Sequence, residues 1–176
     1  PCTGRTEVVS SGSPEYDSGL KEYERGDASA LFLSQQQLEG GTWGWGEQQE
    51  LIEILEKVSS GVDLFVRPHP KDSTRKAARF DEVFAIEDAD NLAKSIEKHD
   101  IVITVNSTAI FEGVIQGKTC CILDLPWYEV DFEPFTHPHI LQLDQSTSLM
   151  SSSDFEVLST ESQMDYVEKF CRMPQI

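Results

Sequence analysis

The most informative run in this sequence is Ile101-Val102-Ile103-Thr104-Val105. Apolar and β-branched residues follow one another here, without the polar alternation of a strand that has one face in water. Such a strand is buried on both faces, which is typical of a parallel sheet covered by helices on either side. The run therefore predicts a central strand of an α/β fold.

Strands and helices alternate on either side of this run. Short apolar runs predict further strands at 30–35, 62–67, 83–86, 119–123 and 139–143. Apolar residues at helical spacing predict helices at 47–59, 88–99, 106–116 and 161–172. The alternation predicts one Rossmann-like domain over residues 30–176, with a doubly wound, mostly parallel sheet of about six strands. Residues 1–29 are polar and rich in Gly, Ser and Pro, so they predict a linker or irregular lead-in.

The composition is that of a folded, strongly acidic protein. Among 176 residues, 14 Lys and Arg face 31 Asp and Glu, a net charge of −17, while 39% of residues are hydrophobic. A field of this sign repels phosphate polymers, so we expect no nucleic-acid partner and no broad contact with anionic membranes. No apolar run reaches the roughly 18 residues of a membrane span, and no secretion leader is visible. The four cysteines form no CxxC pair, so we expect reduced thiols in a cytoplasmic protein.

Ligands of doubly wound sheets bind outside the carboxyl ends of the strands, and one such end carries Arg67-Pro68-His69-Pro70-Lys71. The prolines stiffen the backbone around His69, which can donate a hydrogen bond to a phosphate oxygen. Arg67 and Lys71 can add positive charge, because residues 64–80 hold five basic side chains and a single acidic one. An anion site is predicted; the alternative is a solvated basic helix beside a rigid turn.

A second group of polar residues follows the central strand. Asn106, Ser107 or Thr108 can cap the next helix, whose free N–H groups would then face the crevice and bind a phosphate. Glu112 lies one turn further on, where a carboxylate can accept from a ribose hydroxyl. The alternative is an ordinary helix cap, with Glu112 on a solvated helix face.

The loop after the first strand is the third candidate. Ser34 and Gln35 end the strand, and four glycines and two tryptophans follow within 40–46. Glycine lets the backbone approach a ligand, and tryptophan can stack on a sugar or a base. A partly packed loop is the alternative, since neither GxGxxG nor a P-loop occurs.

No metal site is predicted from the sequence. His137 and His139 lie near Asp131 and Glu133, but their spacing matches no specific metal site. No Ser-His-Asp order or GxSxG elbow is visible either.

Taken together, these motifs resemble the donor-binding half of GT-B glycosyltransferases. The pair His69-Pro70, the pair Ser107-Thr108 and Glu112 are similar to motifs of bacterial capsule and lipopolysaccharide enzymes that use CMP-activated sugars. These enzymes include the Kdo transferases and the sialyltransferases. The resemblance implies that His69 and Ser107-Thr108 hold the CMP phosphate and that Glu112 contacts the ribose. His69 is then the catalytic residue, because it stabilises the charge that develops on departing CMP.

The resemblance also implies substrates and partners. The donor would be CMP-activated Kdo or sialic acid, and the acceptor a surface polysaccharide or glycolipid, with no further cofactor. A GT-B enzyme has two such domains, so we expect an N-terminal partner domain, through which the chain could associate peripherally with the inner face of the membrane. Alternatives are a CDP-glycerol phosphotransferase, a UDP-sugar enzyme, and a non-catalytic nucleotide-binding or regulatory module.

Overall fold

The computed structural model describes most of the predicted domain. The described residues are 29–35, 37–38, 40–70, 79–129, 133–136, 138, 140–146 and 149. The predicted lead-in up to residue 28 and the predicted last helix at 161–172 lie outside them. So do Lys71 and the rest of the basic segment 71–78.

Six strands form one sheet, and every neighbouring pair in it is parallel. Their bounds are β1 Ser29–Leu33, β2 Asp63–Arg67, β3 Ala85–Ile86, β4 Ile101–Thr104, β5 Thr119–Leu123 and β6 Ile140–Leu143. The order across the sheet is β3-β2-β1-β4-β5-β6. This is the strand order of the Rossmann fold, which confirms the predicted fold class.

Three helices lie between the strands in the described part of the chain. They are α1 Trp45–Val58, α2 Leu92–Glu97 and α3 Ile110–Ile115, and 3-10 turns occur at Phe80–Glu82 and Glu133–Thr136. The helix predicted at 47–59 is confirmed and begins two residues earlier, because Glu47 Oε2 accepts a hydrogen bond from the N–H of Gly44 at 3.0 Å and caps the first turn. Within the described residues, no helix is long and apolar enough to cross a bilayer.

Two predicted elements are shorter than their sequence patterns. The helix predicted at 88–99 begins only after Asn91, whose Oδ1 accepts from Lys94 N at 2.9 Å and thereby sets the start of α2. The strand predicted at 83–86 shrinks to two residues, because Phe84 N still donates to Phe80 O at 2.8 Å and belongs to the preceding turn.

The sheet has a hydrophobic layer on each face. Ala30 and Phe32 of β1 pack in a cluster with α1, whereas Leu31 and Leu33 pack in another cluster with α2 and α3. All four residues of β4 are buried, which confirms the prediction from its uninterrupted apolar run.

The strand order creates one reversal in the direction of winding. From β1 the chain moves to β2 and β3 on one side, and then returns to β4 on the other side of β1. At such a point the loops after the two adjacent strands diverge to opposite faces and leave a crevice at the carboxyl edge. The loops that follow β1 and β4 are therefore the expected walls of a binding site.

Candidate functional site

A chain of polar side chains crosses the crevice between β1 and β4. Gln37 Nε2 donates to Asn106 Oδ1 at 3.1 Å and lies 3.4 Å from Gln35 Oε1. Asn106 Nδ2 in turn donates to the hydroxyl of Tyr128. Gln37 thus links Gln35 to Asn106, both of which were predicted from the sequence, and Asn106 extends the chain to Tyr128. Gln37 and Tyr128 were not predicted as site residues.

Aromatic side chains form one wall beside this chain of amides. The rings of Trp43 and Tyr128 meet edge to face, with centroids 5.7 Å apart. Trp43 is buried and donates from Nε1 to Gln48 Oε1 at 3.3 Å. A narrow cleft is lined by Phe32, Leu33, Ser34, Gln35, Gln37, Trp43, Gln48, Leu51, Phe80 and Val105. The glycine- and tryptophan-containing loop therefore contributes at least one ordered, packed aromatic to the site.

The Pro-His-Pro turn is tied to the same edge through the backbone. Ser34 N donates to Arg67 O at 3.0 Å, which joins the carboxyl ends of β1 and β2. Ser34 is buried, and its hydroxyl lies 3.5 Å from the carbonyl of Gln35. His69, two residues beyond Arg67, is half-buried beside Pro70, which is exposed. The tie between the two strands places the predicted phosphate-binding turn next to the crevice.

Arg67 is engaged by another part of the protein. Its Nη1 donates to Ala89 O at 2.8 Å and to Ser95 Oγ at 2.6 Å. These bonds hold the loop before α2 and the helix itself against β2. Nη1 of Arg67, which was expected to support an anion site, therefore already donates to two acceptors within the protein.

The turn after β4 differs from the prediction. Ser107 O accepts from Ile110 N and Thr108 O from Phe111 N, so two tight turns precede α3, and Ala109 is its cap residue without a side-chain cap bond. The prediction that Asn106, Ser107 or Thr108 caps the helix is therefore wrong: the tight turns move the helix start beyond them.

Ser107 and Thr108 nevertheless shape this turn differently. Ser107 Oγ accepts from Ala109 N at 3.3 Å, while Ser107 N donates to Thr104 Oγ1 at 3.2 Å. Thr108 is exposed. The hydroxyl of Ser107 is therefore held within the turn that follows β4.

Glu112 is bonded within its own helix. Its Oε1 accepts from Gln116 Nε2 at 2.7 Å, and the same nitrogen donates to Ala93 O at 3.2 Å. This pair joins α3 to α2 on one face of the sheet. The ribose contact expected from Glu112 stays a prediction.

An ionic cluster between the end of β3 and the end of α2 consists of the buried Glu87 and His99 and the exposed Lys98. Glu87 accepts from Lys98 Nζ at 2.9 Å and from Ala89 N at 2.8 Å, and its other oxygen lies 3.5 Å from His99 Nε2. Burial opposes ionisation of Glu87, but these hydrogen bonds outweigh it and lower its pKa. Burial also lowers the pKa of His99, despite the neighbouring carboxylate, because the imidazolium loses its hydration. His99 Nδ1 lies 3.1 Å from the hydroxyl of Ser29.

Among the described residues, no three His, Cys, Asp or Glu side chains are close enough to hold a metal ion. His137, His139 and Asp131 lie outside the described part of the chain.

Comparisons with known proteins give matches in structure only. No family profile matches the sequence, and no curated protein matches it. A beta Kdo 2,7 transferase, KpsC of Thermosulfurimonas dismutans, is 14% identical with a TM-score of 0.49, over 83% of this chain and 47% of that one. The beta Kdo 2,4 transferase of the same KpsC is 12% identical with a TM-score of 0.43, over 82% and 45%. The chain spans about half the length of each structure, and both of those proteins are named as Kdo transferases.

Proposed function

We propose that this chain binds a CMP-activated acidic sugar and forms the donor-binding half of a GT-B glycosyltransferase. The observation that carries the proposal is the hydrogen bond between Gln37 and Asn106, which spans the crevice at the reversal of the sheet. Nucleotides bind at this position in Rossmann-like sheets. CMP is chosen over other nucleotides because the sequence motifs resemble those of enzymes that use CMP-activated sugars.

The amides in the crevice suit a pyrimidine base. Gln35, Gln37 and Asn106 each carry an amide with donors and an acceptor, so they can exchange their mutual bonds for bonds to cytosine, whose edge also holds both kinds of group. The buried ring of Trp43 narrows the space on the α1 side. A base bound here would be held by matched hydrogen bonds in a site with an apolar wall.

His69 would act on the phosphate. Its turn is tied to the end of β1 through Ser34 N and Arg67 O, so an imidazole N–H can reach a phosphate bound near the crevice. When the sugar leaves, negative charge grows on CMP, and a hydrogen bond from His69 stabilises that charge more than it stabilises the bound donor. Ser107 and Thr108 would add hydroxyl donors from the adjacent turn. The acceptor would be a surface polysaccharide or glycolipid that reaches the site with a partner domain.

Calorimetric titration of CMP tests the proposal. We expect CMP to bind and His69→Ala to weaken its affinity by about 10-fold or more, because a hydrogen bond to a charged group contributes about 1.5–3 kcal/mol. Gln49→Ala, on the exposed side of α1, is the matched control and leaves affinity unchanged. Equal CMP affinity in wild type and His69→Ala, or binding in neither, would contradict the proposal. Tighter binding of CDP or UDP than of CMP would favour a CDP-glycerol or UDP-sugar enzyme.

A further inference from the structure

Trp45 leaves an unusual amount of apolar surface in water. It is the first residue of α1 and is 53% exposed, the most of any large hydrophobic side chain among the described residues. Its neighbour Trp43, two positions earlier, is by contrast buried in the wall of the cleft. A solvent-exposed tryptophan beside a cleft is the kind of side chain that binding surfaces use, because its large rigid face contributes contact area at little entropic cost.

The guanidinium of Arg79 is held over this tryptophan. Its central carbon lies 5.1 Å from the centre of the Trp45 ring. Among the described residues, the ring of Trp45 is the side-chain partner of this guanidinium, and no ion pair or side-chain hydrogen bond there engages it. A stacked guanidinium keeps its edge exposed, and that edge matches the two oxygens of a carboxylate.

The backbone that presents Arg79 is in an unfavourable conformation. Arg79 has φ 55° and ψ 14°, the left-handed region, and within the described residues it is alone among non-glycine residues in this respect. The next residue, Phe80, is buried and its ring packs 5.8 Å from that of Phe32 in the cleft. Backbone strain of this kind persists where surrounding packing enforces it, and it concentrates at ligand sites.

Trp45 and Arg79 each follow or precede, within two positions, a residue of the proposed donor site. Phe80 and Trp43 both line the cleft, and Arg79 and Trp45 are one and two residues from them. A ligand that extends out of the crevice towards these residues would therefore meet an aromatic face and a guanidinium together.

We propose that Trp45 and Arg79 form a subsite for a sugar ring that carries a carboxylate. The part of the indole that Arg79 leaves exposed would stack on the apolar face of the sugar ring, and the guanidinium would bind the carboxylate with two parallel hydrogen bonds. A neutral sugar would only stack on the indole, and a small carboxylic acid would only form hydrogen bonds with the guanidinium. The position of this subsite relative to the nucleotide rests on the proposed function, whereas recognition of a carboxylated ring does not.

Indole N–H signals in two-dimensional NMR test the subsite directly. The chain has three tryptophans, and Trp45→Phe identifies the signal of Trp45. We expect glucuronate to shift this signal at millimolar concentration, while glucose at the same concentration shifts it at least fivefold less. The signal of Trp127 serves as an internal control and stays in place.

Three variants of Arg79 separate the role of its side chain from that of its backbone. Arg79→Gln removes the charge and should weaken glucuronate binding at least fivefold, whereas Arg79→Lys keeps the charge without the planar fork and should lie between Gln and wild type. Arg79→Gly relieves the left-handed conformation, so it should be at least as stable to urea as wild type, yet lose glucuronate binding. Equal shifts by glucose and glucuronate, or undiminished binding in Arg79→Gln or Arg79→Gly, would overturn the proposal.

Titration with CMP alone keeps this proposal separate from the proposed function. If CMP shifts the Trp45 signal as glucuronate does, the tryptophan is a platform for the base and the sugar subsite is wrong. If CMP binds nowhere while glucuronate binds with dependence on Arg79, the subsite stands and the nucleotide function fails. If CMP binds without affecting Trp45 and glucuronate does not bind, the function stands and the subsite fails.

Discussion

Gly113 of α3 lies so close to the sheet that a single methyl group should destabilise the protein. A Cβ built there would be 2.9 Å from Cys120 Sγ and 3.2 Å from Val102 Cγ2. Neither neighbour has room to move, because both are fully buried in strands and the Cys120 thiol lies 3.5 Å from Lys118 O. Overpacking of this kind costs about 1–3 kcal/mol. Because a contact of 2.9 Å is shorter than real Cβ contacts, we expect the upper half of this range, about 2–3 kcal/mol. Alanine returns up to about 1 kcal/mol through helix propensity, so Gly113→Ala should lose about 1–2 kcal/mol net.

Urea unfolding followed by circular dichroism measures this loss, and the chain offers a matched control. Gly46 lies in the first turn of α1, and a Cβ there would have no atom within 4 Å. Gly46→Ala should therefore be neutral or more stable, by up to about 1 kcal/mol. Cys120→Ala removes the nearest atom, so adding it to Gly113→Ala should give a smaller combined loss than the two single losses added together.

Two results would refute this account of α3. One is a Gly113→Ala protein as stable as wild type, which would mean that the helix can move away from the sheet at little cost. The other is strict additivity with Cys120→Ala, which would mean that the methyl group and the thiol do not compete for the same space.

Three further expectations follow from the buried groups. The folded protein binds a proton at His99 less readily than the unfolded chain does, because burial lowers the pKa of His99. The free energy of unfolding should therefore fall as the pH drops from about 6.5 through that lowered pKa. In His99→Gln, the free energy of unfolding measured with urea should depend less on pH in this range. Burial raises the pKa of Cys120 and Cys121, so mass spectrometry after alkylation at pH 8 should find them unmodified in native protein and modified in urea. Arg67→Met should lower the free energy of unfolding measured with urea by about 1–3 kcal/mol, because Ala89 O and Ser95 Oγ lose a charged donor. In calorimetry, Arg67→Met should reduce CMP affinity less than His69→Ala does.

Much of the fold could be predicted because burial leaves a periodic trace in the sequence. The uninterrupted apolar run at Ile101–Thr104 predicted a strand buried on both faces, and helical spacing in Leu51, Ile54, Leu55 and Val58 predicted α1. The predictions failed where local hydrogen bonds compete with periodicity. Tight turns before Ile110 delay α3, and such turns leave no periodic signal in the sequence.

The candidate site was only partly predictable for a related reason. Residues that directly follow strands, such as Gln35 and Asn106, can be found from the sequence, because the carboxyl edge is where ligands of parallel sheets bind. Gln37 and Tyr128 could not be selected in this way. They reach Asn106 across sequence separations of 69 and 22 residues, and the partners they find depend on which loops the sheet brings together.

The sequence by itself determined that this chain forms an α/β domain with a parallel sheet and which residues end its strands, because side-chain polarity and spacing record how each segment is buried. Only the tertiary structure decided that β1 lies between β2 and β4, that Gln37 and Asn106 meet across the reversal, and that the guanidinium of Arg79 lies over part of Trp45. The physical reason is that strand neighbours are selected by the packing of the whole sheet and its two helical layers. A local pattern specifies how a segment is buried, but it does not specify which distant segment lies beside it.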